Sequence, residues 1–338
     1  METTLRPLTL GEILDRTAEL YRTNFLLLAG ISSIYGGILL VLSLVQIAAQ
    51  QAALSMHMNT GLIVVSVIGL VVLWLVIFVA GGLAVAANTR AVGWVHLGEP
   101  ASIGTAYRTI LPRTGRYLWL MTITYFLAWF PCVLVYGAYA ALLLAYVKPK
   151  GLFTPAPHAA PADPQMMVVI LISSIAFLFL LGGALVYGIL MSLRYSLAVP
   201  ACTVENLPAR AATRRSIQLS KGSRGRIFML ALLALIIQLG LTGITQGFFI
   251  FAGIKHHGVL PVWMSVMQQF LAFLTNTFVG PIYATGFTLF YYDQRVRNEG
   301  FDIERMMQTA GMTPALPAAE SNFAIEGATA VDQESGHE

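Results

Sequence analysis

Charge is what this sequence has least of. Lys, Arg, Asp and Glu make up 11% of its 338 residues, against 57% hydrophobic. An ordinary soluble domain carries about a quarter charged residues, so that class is excluded. Between Arg22 and Arg90 there is no charged side chain at all. Cysteine is nearly absent too, which excludes a disulfide framework. Cys132 falls inside an apolar run and Cys202 just past another, so both are expected as reduced thiols. The six histidines (His57, His96, His158, His256, His257 and His337) belong to no HExxH pattern, and no Cys-x-x-Cys occurs. His256-His257 reads as a solvated turn beside Lys255, and no metal site is assigned. No G-x-S-x-G elbow and no G-x-x-x-x-G-K-[ST] phosphate loop is present, so neither catalytic residues nor a cofactor is assigned.

What the sequence does have is apolar length. Six runs occupy roughly 25–47, 61–88, 117–147, 166–193, 227–254 and 262–292. Each exceeds the ~20 residues that cross ~30 Å of hydrocarbon as a helix. The fold class expected is therefore an all-α polytopic bundle of six transmembrane helices. Polar residues Gln50, Gln51, His57 and Asn59 supply the turn between the first two runs, and Pro131 is expected to kink one helix rather than end it.

The basic residues orient the bundle. Taken gap by gap along the chain, Lys and Arg number three, none, four, two, seven, one and three. Seventeen of the twenty thus lie in alternate gaps, the positive-inside pattern of a six-span protein of the cell inner membrane with both termini cytoplasmic. The first run lacks a small-residue cleavage site and is read as a retained span. The net charge of +4 points to anionic headgroups at the cytoplasmic face, not to nucleic acid.

Amphipathic helices should line that face. Thr9 and Glu12 have capping-box spacing, and Leu10, Ile13, Leu14, Thr17, Leu20 and Tyr21 form one stripe over residues 9–24. Related lead-in segments, Ser102–Arg116 and Leu207–Arg226, precede the third and fifth runs. The chain reads as three units of interfacial helix plus transmembrane hairpin, which as a repeat would be parallel. The membrane domain is placed at 1–307. Residues 148–165, with five prolines, read as an extended external loop, and 308–338 as a disordered acidic cytoplasmic tail.

Three stretches carry a family likeness: Leu5–Gly30, Arg194–Gly222 and Phe290–Met306 (FYYDQRVRNEGFDIERM). Over residues 5–307 the chain resembles stand-alone bacterial members of the family called the glycerophosphoryl diester phosphodiesterase membrane domain. The resemblance implies six membrane helices and no defined activity. The phosphodiesterase barrel of that family's enzymes needs ~250 further residues, and no such segment exists here. The expectation is a non-enzymatic protein interacting with lipids or membrane protein partners. Alternatives are a small-molecule or lipid transporter and an intramembrane lipid-modifying enzyme, both of which usually need ionisable groups within the spans.

The site candidates follow. Arg194, Arg210, Arg214, Arg215, Lys221, Arg224 and Arg226 are headgroup candidates, and on a helix Arg210, Arg214 and Lys221 form one cationic edge. Arg194 either snorkels to the headgroups or pairs with Glu205 or an acid of the last helix. Gly222 should end a helix in a left-handed conformation. Gln238, Gln246, Gln269 and Asn276 are candidate cavity-lining residues, with interhelical hydrogen bonding as their commoner role. Gly36-Gly37, Gly81-Gly82 and Gly182-Gly183 are read as close-packing sites. The alternating charges of 293–306 suit pairing with the Arg210–Arg226 segment or the N-terminal helix. Protease added outside intact cells is expected to cut only within 148–165; cleavage within 201–226 from that side would reverse the orientation.

Overall fold

The computed structural model describes residues 6–55, 60–147, 164–255 and 260–309. Expectations that fall on His57 and Asn59, on His256-His257, on most of the 148–165 loop and on most of the 308–338 tail lie outside the described residues. All regular structure among the described residues is helical. Six helices among the described residues are long and apolar enough to cross a membrane, which makes this an all-α integral membrane protein. The chain divides into two compact units, residues 8–291, and residues 292–338 together with 1–7.

The first unit opens on α1 (Leu10–Thr23), whose start is fixed by the expected capping box. Glu12 N–H donates to Thr9 Oγ1 at 3.3 Å while Thr9 N–H donates to Glu12 Oε2 at 2.7 Å. Two amides that the first turn leaves unpaired are thereby satisfied. Ile13, Thr17 and Leu20 of the expected stripe are buried. The Tyr21 hydroxyl donates to the Phe278 carbonyl at 2.7 Å, and burial raises its pKa above the usual tyrosine value.

Next come α2 (Phe25–Ser55) and α3 (Thr60–His96), then α4 (Ile103–Ile110), capped by Ser102 and Thr105 and followed by a 3₁₀ turn at Leu111–Arg113. The second hairpin is α5 (Thr114–Val147) and α6 (Pro164–Tyr195). Two short helices, α7 (Ala198–Val204) and α8 (Ala209–Leu219), precede α9 (Arg224–Lys255) and α10 (Val262–Glu299). The order of short helix then long pair thus recurs three times. α5 continues through Pro131 and α10 through Pro281, as neither proline ends its helix. At 31–38 residues the long helices measure about 45–57 Å, so they must tilt or project beyond the hydrocarbon.

Small residues set the helix contacts, though not always those expected. A Cβ on Gly82 would lie 2.7 Å from Met121 Sδ, and one on Gly36 would lie 3.0 Å from Thr277 Oγ1. Gly182 and Gly183 meet nothing within 4 Å, so that pair is not a packing site. On α6 the close approach is instead at Gly188, where a Cβ would lie 3.2 Å from the Ala128 carbonyl. The α5–α6 pair is completed by Tyr139 stacked on Phe177 at 4.3 Å, with the Tyr139 hydroxyl 2.7 Å from Ser174 Oγ. Outward apolar side chains such as Phe179, 81% exposed, have lipid as their natural solvent.

In the second unit α10 ends at Glu299, Gly300 takes φ +65°, and α11 (Phe301–Thr309) begins. The charges of this segment close on one another. Arg297 Nε lies 3.0 Å from the buried carboxylate of Asp293, and Arg295 meets Glu299 at 3.3 Å and Glu304 at 3.6 Å. Its guanidinium also sits 4.1 Å from the Phe301 ring centroid. These pairs lie within the segment, whereas the pairing expected from its charges is with the Arg210–Arg226 segment or the N-terminal helix.

One hydroxyl holds the α6–α7 corner. Ser216, fully buried on α8, donates to the Arg194 carbonyl at 2.9 Å and accepts from Leu197 N–H at 3.2 Å. Ser216→Ala leaves a buried amide without its acceptor, and should lower unfolding stability in detergent by about 1–3 kcal/mol. Ser174→Ala, at a half-exposed site, should change it by much less. Equal melting temperatures for the two variants would show that the corner does not depend on Ser216.

Candidate functional site

The segment from Arg194 to Arg226 makes polar contacts with α3, α5, α6 and α10. After α7, Asn206 adopts φ +58°, a left-handed conformation that asparagine tolerates better than most residues. Its backbone oxygen accepts from Arg116 Nη1 at 2.7 Å, and its Oδ1 accepts from Arg116 at 2.9 Å and from Arg113. Arg90 Nη1 reaches the Thr203 carbonyl at 2.6 Å. Cys202, buried on α7, donates its thiol to the Leu207 carbonyl, while Cys132 stands free on α5.

Glu205 carries the strongest pair. Arg215 approaches it with Nε at 3.0 Å from both carboxylate oxygens and with Nη2 at 2.8 Å. The Tyr291 hydroxyl donates to the same carboxylate. The partner of Glu205 is therefore Arg215, and the alternative ion pair between Arg194 and Glu205 does not form. Arg194 is half-buried, its Nε without a hydrogen bond.

This geometry sorts the basic candidates into two groups. Arg215 is committed to Glu205, and Arg226 donates to the Leu8 carbonyl at 2.8 Å with its guanidinium 5.3 Å from the Phe290 ring. Arg210, Arg214, Lys221 and Arg224 are exposed. α8 explains the division: Ala209, Ala212, Thr213, Ser216 and Leu219 form its buried face, so Arg210 and Arg214, one turn apart, point away. Gly222, at φ +77°, makes the expected left-handed turn into α9.

Deeper in the bundle lies a cavity of about 490 Å³ between α2, α3, α5 and α10. Its polar lining is Ser32, Tyr35, Asn88, Tyr125 and Asn276, set among Ile77, Phe78, Met121 and Ala284. A second cavity of about 280 Å³ adjoins it, sharing Val85, Met121, Tyr125 and Ala284. No acidic or basic side chain lines either. Asn88 Nδ2 donates to Ser32 Oγ at 2.9 Å and to the Ala84 carbonyl at 3.1 Å, whereas Asn88 Oδ1 is buried with no hydrogen-bond partner.

Of the four candidate cavity residues, Asn276 lines this cavity and donates to the Ala272 carbonyl at 2.9 Å. Gln238 lines a separate apolar cavity of about 400 Å³ between α9 and α10, and donates to Thr242 at 3.2 Å. Gln246 accepts from Gln268, an interhelical bond of the commoner kind. Gln269 is half-buried and lines none of these cavities. Sequence reasoning missed Ser32 and Asn88. The second predicted run stopped at residue 88, yet α3 continues for eight more residues, which places Asn88 well inside it. Among the described residues no cluster of metal-ligating side chains forms.

Comparison with family models, with curated proteins and with solved structures returns no match. Function is therefore read from the geometry. The Glu205–Arg215 pair is the part of it most open to direct measurement. Each side chain is about one-fifth exposed, so removing either partner should cost roughly 1–3 kcal/mol, less than a fully buried pair. A double-mutant cycle with Glu205→Ala and Arg215→Ala should give a coupling of at least about 1 kcal/mol. Additive effects would show the pair to be incidental.

Proposed function

We propose that the chain is a non-enzymatic protein of the cell inner membrane, with both termini cytoplasmic, that meets anionic lipid headgroups through the exposed basic side chains of α8 and of the turn into α9. One observation carries the reading: of seven basic residues in one stretch, Arg215 and Arg226 are used internally and Arg194 is half-buried, while Arg210, Arg214, Lys221 and Arg224 are exposed with no acid paired to them among the described residues. Basic side chains near an anionic surface contribute about 1 kcal/mol each. The segmental charge asymmetry supports the orientation. The motifs at 5–30, 194–222 and 290–306 support a place beside the glycerophosphoryl diester phosphodiesterase membrane domains. A second reading, carriage of a small molecule or lipid, is favoured by the cavity at Asn88.

The headgroup reading is tested by native mass spectrometry after extraction from equimolar phosphatidylglycerol and phosphatidylcholine. Replacing Arg210, Arg214, Lys221 and Arg224 together by Gln should lower the retained phosphatidylglycerol at least tenfold. An unchanged ratio of the two lipids would overturn the reading. The purified protein should also hydrolyse no glycerophosphodiester, with or without divalent metal. Sustained turnover that survives repurification would contradict the non-enzymatic assignment.

A further inference from the structure

α1 is fastened near both of its ends to the last two spanning helices. Just before its first turn the Leu8 carbonyl accepts from Arg226 Nη2 of α9 at 2.8 Å. In its last turn the Tyr21 hydroxyl donates to the Phe278 carbonyl of α10 at 2.7 Å. The Tyr21 ring also meets Phe25 edge-on at 5.5 Å, and Phe25 meets Phe278 at 5.6 Å. The short helix therefore bridges α9 and α10.

A cavity of about 260 Å³ lies among the three, walled by Leu14, Thr17 and Ala18 of α1, Leu230 and Leu233 of α9, and Phe287 of α10. It adjoins the apolar cavity of about 400 Å³ at Gln238, the two sharing Ala234, Ile237, Ile282 and Tyr283. From Leu230 to Gln238 the resulting groove follows α9 for about 12 Å of helix rise. Leu233, Ile237 and Tyr283 of its wall are each more than one-third exposed, so it opens sideways to the surroundings of the spans. In a bilayer those surroundings are acyl chains, and walls without facing atoms forfeit their dispersion contacts.

Charge decides which lipid. Among the described residues Arg22 is the one charged side chain lining either cavity. It is exposed, and no acid among those residues pairs with it. Glu19, one turn earlier on α1, is held by Arg16 at 2.6 Å. An arginine stem can lie along an apolar wall while its guanidinium stays among headgroups, where its planar fork suits a phosphate. We propose that this groove holds one anionic phospholipid, with its phosphate on Arg22 and one acyl chain between α9 and α10 against Ala234 and Ile237. Two chemistries meet there: the apolar channel selects a chain, and the single cation at its α1 end selects a negative head. Arg210, Arg214, Lys221 and Arg224 line no part of the groove, so this site and the basic edge of α8 stand or fall separately.

The test is photo-labelling of the full purified chain in phosphatidylcholine nanodiscs, using trace phosphatidylglycerol with a diazirine midway along one acyl chain. Labelled peptides should concentrate on 230–238 and 279–287, and unlabelled phosphatidylglycerol should displace the probe. The same diazirine on phosphatidylcholine should label these residues roughly fivefold less, the worth of one basic residue at an anionic surface. Soluble glycerophosphate, a head without a chain, should displace nothing. Arg22→Gln should lower the phosphatidylglycerol labelling by a similar factor, and Arg22→Lys should keep most of it. Ala234→Trp, which fills the groove and leaves the charge, should lower it too. Replacing Arg210, Arg214, Lys221 and Arg224 together by Gln should leave labelling at these positions unchanged. Even labelling of all lipid-facing helices would mean ordinary boundary lipid, and equal labelling by the two probes would mean that Arg22 selects nothing. Either result overturns the proposal, as does displacement by glycerophosphate or loss of labelling in the fourfold Gln variant. If Arg22→Gln or Ala234→Trp does not fold, the comparison of the two probes on the unaltered chain decides the matter alone.

Discussion

The Ser216 hydroxyl sits where the chain has the least freedom to satisfy its own backbone. α6 ends at Tyr195 and α7 begins at Ala198, so the helix is interrupted for two residues. Such a break frees a carbonyl at the end of one helix and an amide at the start of the next. Near hydrocarbon, unpaired backbone groups cost several kcal/mol each. Ser216 pairs one of each, from a helix that lies some twenty residues further on. The bond therefore does more than close a turn, because it fixes α8 against the end of α6.

Once α8 is fixed, its phase decides which charges are spent inside the protein. Arg215 is turned toward Glu205, whose carboxylate also receives Tyr291 of α10. On the neighbouring stretch, Thr203 and Asn206 receive Arg90 of α3, Arg116 of α5 and Arg113 just before it. One connection thus ties four spanning helices at a single end of the bundle. Arg210 and Arg214 are left on the outside by the same helical phase. In the reading proposed above, retention of the loop on one side of the membrane and contact with headgroups would draw on the same residues, so neither role would compromise the other.

Features set by nearby residues were legible in the sequence. The capping box of α1 needs only Thr9 and Glu12, the turn at Gly222 only a glycine, and the six spans only apolar length. Long-range choices were not legible. Whether Glu205 would take Arg194 or Arg215 depends on the orientation of α8, which no local pattern states. α7 was hidden because Ala198–Val204 is short, apolar and continuous with the fourth run. Asn88 was hidden because hydropathy places the end of a run where the lipid environment changes, and not where the helix stops. Its partner Ser32 lies 56 residues away, and hydroxyls inside a span most often bond to their own helix.

The central claim is that residues 197–207 form a built part of the bundle and not a mobile connection between the fourth and fifth spans. Amide hydrogen exchange of the wild-type protein in nanodiscs measures this directly. The account predicts that the amides of Leu197 and of Ala201–Glu205 exchange as slowly as those in the inner turns of α6 and α9. Exchange within seconds across this stretch, with the spanning helices still protected, would contradict it.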